Sequence, residues 1–158
     1  MKEDSKKYEV EDCRMHEKQF PEVNDLVMCK ITMPFTDGAY VELLEYNNRQ
    51  GMILNSEMSR KRVKHVKQIM KEGREEVLRA IRVDTQQGYI DLSKKNVKVG
   101  EIKEFQEQYS RRKHVHNIMK SLAIKINQPK LEDLYLKFGW NLYKEYGHAY
   151  DAFKEMLE

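Results

Sequence analysis

Six basic side chains (Arg60, Lys61, Arg62, Lys64, Lys67 and Lys71) fall between Arg60 and Lys71 with no acid among them, and the block begins beside Ser59. Clustered guanidinium and ammonium groups attract phosphate backbones. On charge alone, a solvated helix face accounts for the block better than a binding patch does. The other residues that could do chemistry are scattered. Of the five histidines (His16, His65, His114, His116 and His148), only His114 and His116 form a close pair. Helical positions two apart face about 200° from each other, so the pair does not converge on a metal. Neither Cys13 nor Cys29 lies near them in sequence. The carboxylate pairs Glu75-Glu76 and Glu132-Asp133 are adjacent, a surface pattern rather than an acid/base dyad. The phosphate-loop pattern GxxxxGK(S/T), the dinucleotide pattern GxGxxG, the zinc pattern HExxH and the nucleophile pattern GxSxG are all absent. The chain reads as a non-enzyme, with no catalytic residue, no metal site and no cofactor.

The elements that position the basic block come next. Residues 1–19 have no apolar periodicity and are expected to be a flexible N-terminal tail. From 20 to 96 the pattern is strand-like. Leu26 to Ile31 is a short apolar run. Ala39, Val41 and Leu43 alternate with Tyr40, Glu42 and Leu44, and Met52 to Leu54 is a third strand. Val77 to Val83 alternates, Asp84 to Gly88 turns, and Tyr89 to Leu92 returns as a hairpin partner. Five short strands with one insertion, 55–74, predict a closed OB-type barrel, because closure removes exposed edges. In the insertion Val63, Val66, Ile69 and Met70 fall on one helical stripe, with the basic residues mostly off it. After Val99-Gly100 the spacing turns helical: Ile102, Phe105, Tyr109, Val115, Ile118, Leu122 and Ile126, with a break expected near Ser110. Pro129 suits the start of the next helix. Leu131, Leu134, Phe138, Leu142 and Tyr143 give its apolar face, and Tyr150, Phe153 and Leu157 begin a last one. The expected fold is a five-stranded OB barrel over 20–96 followed by an α-helical domain over 97–158.

Composition bounds the rest. The 158 residues carry 29 basic and 26 acidic side chains, a net charge of +3, with 35% charged residues and a mean hydropathy of −0.83. Ile, Leu, Val and Phe make up 37 residues, enough for a core despite the charge. Apolar runs stop at three or four residues, so no membrane span is expected. Met1 to Lys6 carries no apolar signal-peptide region. The two cysteines are expected as reduced thiols of an intracellular protein.

Several stretches carry a family resemblance. Gly38-Ala39-Tyr40-Val41, Gly51-Met52-Ile53, Ser56-Glu57 and Val77 to Ser93 resemble RNA-binding OB modules of the kind first named in a ribosomal protein. More specific are Leu43 to Asn48, Gly51 to Leu54, Ser56 to Arg62, Ile81 to Asp84, Gly88 to Lys94 and Tyr146 to Lys154. In that order they resemble the alpha subunit of eukaryotic translation initiation factor 2, from about Phe20 to nearly the end of the chain.

The resemblance implies a non-catalytic subunit of a trimeric factor that carries initiator tRNA to the small ribosomal subunit with GTP, in the cytoplasm. Its implied partners are the beta and gamma subunits, initiator tRNA, mRNA, the small ribosomal subunit, a guanine-nucleotide exchange factor and stress-activated protein kinases. The family's C-terminal α/β domain, which docks on the GTPase subunit, is expected to be missing here. The implied phosphoacceptor is Ser59, the second serine of a Ser-Glu-Leu-Ser-Arg-Arg-Arg loop, with Ser56 as the first. Asn55, Met58 and Lys61 replace the more usual Leu, Leu and Arg. The implied kinase-docking stretch is Gly88, Tyr89, Ile90 and Asp91, with Gln87 where Lys is usual. Phosphorylated, the factor is expected to hold its exchange factor unproductively and lower initiation.

A phosphate at Ser59 adds about −1.5 to −2 charges. Arg60, Lys61, Arg62 and Lys64 are close enough in sequence to pair with it, or to contact RNA. Tyr40, Tyr46 and Tyr89 either stack on bases or pack on the barrel wall. Ile90 and Leu92 share a core face, and Tyr89 and Asp91 share the outer one. Two other readings compete: a plain OB-fold RNA-binding module, and a kinase pseudosubstrate, against which Ser59 and residues 97–158 speak.

Overall fold

The computed structural model describes residues 10–59 and 71–157. Five strands, β1 (Leu26–Phe35), β2 (Gly38–Leu43), β3 (Arg49–Leu54), β4 (Glu75–Asp84) and β5 (Tyr89–Ser93), close in the order β1-β2-β3-β5-β4. All pairs are antiparallel except β3 with β5, which run parallel through Met52 opposite Asp91 and Ile53 opposite Leu92. The expected barrel is therefore present, and its period-two alternation places the core. Ala39, Val41 and Leu43 on β2 and Ile90 and Leu92 on β5 point inward with Val27, Ile31, Ile53 and Leu78. Two strands differ in detail. On β4 the inward phase is Leu78 and Ala80, and a bulge between Ala80 and Arg82 then lets Val83 pack on the same core. On β1 the strand continues through Pro34 to Phe35, with a bulge between Ile31 and Met33. Gly51 is closely packed, since a Cβ there would stand 2.8 Å from Leu43 Cδ1 and 3.0 Å from Leu92 Cδ1 and would make these core side chains shift.

The described residues fall into two compact units, one within 18–109 and one formed by 10–17 with 110–157. The boundary falls between Tyr109 and Ser110, within helix α1 (Val99–Lys125), rather than at 96/97. The expected break near Ser110 is absent. No glycine or proline lies between Gly100 and Lys125, and the arginines after Ser110 are good helix formers.

The helical unit continues with α2 (Leu131–Leu134), a π turn over Tyr135–Gly139, α3 (Trp140–Tyr146) and α4 (Ala149–Leu157). Its core gathers Val115, Met119, Ala123, Leu131, Leu134, Tyr135 and Trp140. The buried stripe of α1 thus runs through Met119 and Ala123, and Ile126 is 53% exposed rather than buried.

The expectation of a flexible tail fails for residues 10–17, which pack into this unit. Residues 1–9 lie outside the described residues. Glu11 bridges to Lys130 in parallel, its N–H donating to Pro129 O at 2.8 Å. Cys13 and Met15 are buried, and Trp140 Nε1 donates to Met15 O at 3.1 Å. Arg14 lies over the Trp140 ring at 4.8 Å and pairs with Glu132 at 3.2 Å. An extended segment held by single anchors leaves no period for sequence inspection to find.

Candidate functional site

The segment after β3 is fastened to the barrel at three places. Asn55 opens a short 3₁₀ turn, Asn55–Glu57. Its Nδ2 donates to Thr36 O at 2.9 Å, and its backbone N–H donates to Asp37 O at 2.9 Å. Met58 is 2% exposed and plugs the barrel core. Between them Glu57 makes the third attachment. Its Oε2 accepts from Ser93 Oγ at 2.7 Å, and its carbonyl accepts from the N–H groups of Lys94 at 2.9 Å and Lys95 at 3.0 Å. Lys95 Nζ lies 3.5 Å from Glu57 Oε1. Ser93 is fully buried, so its hydroxyl needs this partner.

The alternation of anchor and solvent along this segment follows from those contacts. Ser56 is exposed, Glu57 and Met58 are held, and Ser59 is half-buried. Arg60, Lys61, Arg62 and Lys64 lie outside the described residues, as does the amphipathic stripe Val63 to Met70.

The second predicted group is built by the β4–β5 turn. Asp84 Oδ1 accepts from the N–H groups of Gln86 and Gln87, both at 3.0 Å, and Asp84 O accepts from Gly88 N at 2.8 Å. Gly88 sits at φ 78°, a left-handed conformation that costs other residues energy. The turn delivers Tyr89, 63% exposed, and Asp91 to the outer face of β5. There they border a groove of about 720 Å³ with Tyr40, Gln50, Met52 and Arg82. Arg82 and Asp91 are register partners, so the groove carries both charge signs. All four predicted docking residues border it, but Ile90 turns its side chain into the core, at 2% exposure. Of the three tyrosines weighed for base stacking, Tyr40 and Tyr89 border the groove, whereas Tyr46 belongs to the barrel core. Tyr40 also stacks on Phe35, centroids 4.8 Å apart.

His114 and His116 do not converge. His116 is buried between Asp12 Oδ1 at Nε2 and the Tyr135 hydroxyl at Nδ1, both at 2.7 Å. His114 instead lies edge-on to Tyr150 at 5.9 Å. Among the described residues no group of three His, Cys, Asp or Glu could hold a metal, and no helix is long and apolar enough to cross a membrane. Burial pushes the Cys13 thiol up to about 12 and the fully buried Cys29 well above its usual value, so neither supplies a thiolate near neutral pH.

Sequence reasoning missed Glu57 and Ser93 as a pair, the Asn55 clamp and the Asp12–His116–Tyr135 chain. Ser56-Glu57 and Leu92-Ser93 stood in the motifs, but their 36-residue separation gave no reason to join them.

Residues 21–95 match the S1 RNA binding domain. The chain is 46% identical over 149 residues to eukaryotic translation initiation factor 2 subunit 1 of Plasmodium berghei, covering 94% of this chain and 45% of that protein. It is 47% identical over 147 residues to the same subunit of Dictyostelium discoideum, covering 90% and 43%. Among solved structures, the intact alpha subunit of aIF2 from Pyrococcus abyssi aligns with a TM-score of 0.79 at 28% identity, covering 87% of this chain and 52% of that one. The a/eIF2alpha–aDim2p–rRNA complex from Pyrococcus horikoshii aligns with a TM-score of 0.74 at 28% identity, covering 86% and 80%. The chain thus spans a little under half the length of the curated relatives it matches.

Proposed function

We propose that the chain belongs to the alpha-subunit family of eukaryotic translation initiation factor 2 and works as a non-catalytic, RNA-binding subunit of that factor controlled by phosphorylation at Ser59. In this reading the factor, with its beta and gamma subunits, delivers initiator tRNA to mRNA on the small ribosomal subunit in the cytoplasm. A stress-activated kinase docks on Tyr89 and Asp91, with the Gly88 turn and the Ile90 backbone holding them in place, and phosphorylates Ser59. Arg60, Lys61, Arg62 and Lys64 pair with the phosphate or with RNA. The phosphorylated factor then occupies its guanine-nucleotide exchange factor without being released.

One observation carries the phosphoacceptor reading. The segment that carries Ser59 is fixed on its N-terminal side by Asn55, Glu57 and Met58. A kinase therefore meets a half-buried serine that directly follows three anchored residues, with a basic block after it in sequence. Ser59 acts as a substrate, and the short segment itself offers little for selection. Specificity comes from a second surface, and the groove beside Tyr89 and Asp91 offers a shaped one. The same groove places Tyr40 and Tyr89 where bases could stack, which favours RNA contact of the sequence-tolerant, salt-sensitive kind.

The test is nucleotide release catalysed by the exchange factor. The chain carrying phosphoserine at position 59 inhibits release, and the unmodified chain does not. Equal effects of the two forms overturn the regulatory reading.

A further inference from the structure

Glu57 and Glu76 each hold a lysine that they can give up. Lys95 Nζ stands 3.5 Å from Glu57 Oε1, longer than a hydrogen bond, while Glu57 Oε2 is satisfied by Ser93 at 2.7 Å. Lys94 Nζ is 3.3 Å from Glu76 Oε1, which Arg74 also holds at 2.8 Å. If either lysine leaves, its carboxylate keeps another partner. The backbones stay in place regardless, because the N–H groups of both lysines are bonded to Glu57 O. Of the two, Lys95 is the one on the Glu57 side.

Ser59 follows Glu57 by two residues, so their Cα atoms are within about 7.6 Å. Lys95, on a flexible four-carbon stem, rests against Glu57 and is 32% exposed, so its ammonium is free to swing about that carboxylate. A phosphate of charge −1.5 to −2 with three acceptor oxygens outcompetes one carboxylate oxygen at 3.5 Å.

We propose that Lys95 is a phosphate-reading residue: once Ser59 is phosphorylated, its ammonium moves from Glu57 to the phosphoserine and pins the modified segment against the end of β5. This rests on Ser59 as the phosphoacceptor. It adds to the basic block after Ser59 a cation supplied by the folded barrel itself. The phosphate is thereby tied to the segment that follows β5, the strand that carries Tyr89 and Asp91.

The experiment places phosphoserine at position 59 of the full 158-residue chain during synthesis, so no kinase is needed and the result is independent of whether one acts there. The second ionisation of the phosphate is followed by phosphorus NMR in the parent, in Lys95→Gln and in Lys98→Gln. Lys98 is an exposed lysine three positions further on and serves as the control for charge alone. An ion pair at a partly exposed site corresponds to a shift of about 0.3–0.7 pH unit. The proposal expects the ionisation to rise by that amount in Lys95→Gln and to stay at the parent value in Lys98→Gln. No rise in Lys95→Gln, or an equal rise in both variants, overturns it. Unchanged amide signals of Lys94 and Lys95 in the unphosphorylated variants confirm that the barrel end is intact.

Discussion

Ser93 Oγ donates a hydrogen bond to Glu57 Oε2 at 2.7 Å, joining the end of β5 to the segment that carries Ser59. A fully buried hydroxyl and a carboxylate that is 20% exposed are each other's partner, and both lose when one is removed. Ser93→Ala is expected to lower stability by about 1–2 kcal/mol. Urea unfolding measures the loss, and limited proteolysis should show earlier cleavage after Met58 than in the parent.

Met58 tests the same attachment from the apolar side. At 2% exposure within the barrel core, Met58→Ala leaves a cavity and costs about 2–4 kcal/mol. Met58→Leu conserves volume and costs under about 1.5 kcal/mol. Thermal unfolding of the three proteins ranks them parent, Leu, Ala. If Ala melts with the parent, Met58 does not anchor the segment.

The β4–β5 turn and Asp91 separate folding from docking. Gly88→Ala has open space for its Cβ but an unfavourable φ of 78°, so it is expected to cost about 1 kcal/mol. Asp91→Ala leaves the core untouched and is expected to lower kinase kcat/KM about tenfold with an unchanged melting temperature, an effect of about 1.4 kcal/mol on recognition. An unchanged kcat/KM removes Asp91 from the docking surface.

The helical unit carries an acid-sensitive link. Burial raises the Asp12 carboxyl, but hydrogen bonds from His116 and Lys120 outweigh it and hold the group well below the usual carboxylate range. Its contribution is therefore complete above about pH 4, where the unfolded carboxylate is ionised, and is lost as the pH falls through the lower folded value. Asp12→Asn is expected to flatten the stability profile below about pH 4 and to lower stability at neutral pH. Equal acid profiles for parent and variant would contradict the link.

What was legible in the sequence follows from range. The alternation of Ala39, Val41 and Leu43, and of Tyr89 to Leu92, is local, and it predicted both the inward faces and the outward Tyr89 and Asp91. The bulge on β4 was not readable, because Ile81 and Val83 look alike until pairing shifts between Ala80 and Arg82. Tyr46 could not be sorted from Tyr40 and Tyr89 by type, and only the short turn after β2 sends it into the core. Val10 to Glu17 resembled a loose tail because its anchors, His116, Glu132 and Trp140, stand more than a hundred residues away. Likewise Ser56-Glu57 and Leu92-Ser93 were visible as motifs, while the bond between them was not.

Site-mapped phosphorylation tests the central claim most directly. The purified chain is incubated with ATP and a protein kinase that acts on alpha subunits of this factor, alongside Ser56→Ala and Ser59→Ala, and the modified residue is identified by mass spectrometry. The predicted result is one phosphate at Ser59, retained in Ser56→Ala and lost in Ser59→Ala. Incorporation that survives Ser59→Ala, or none in the parent chain, would contradict it.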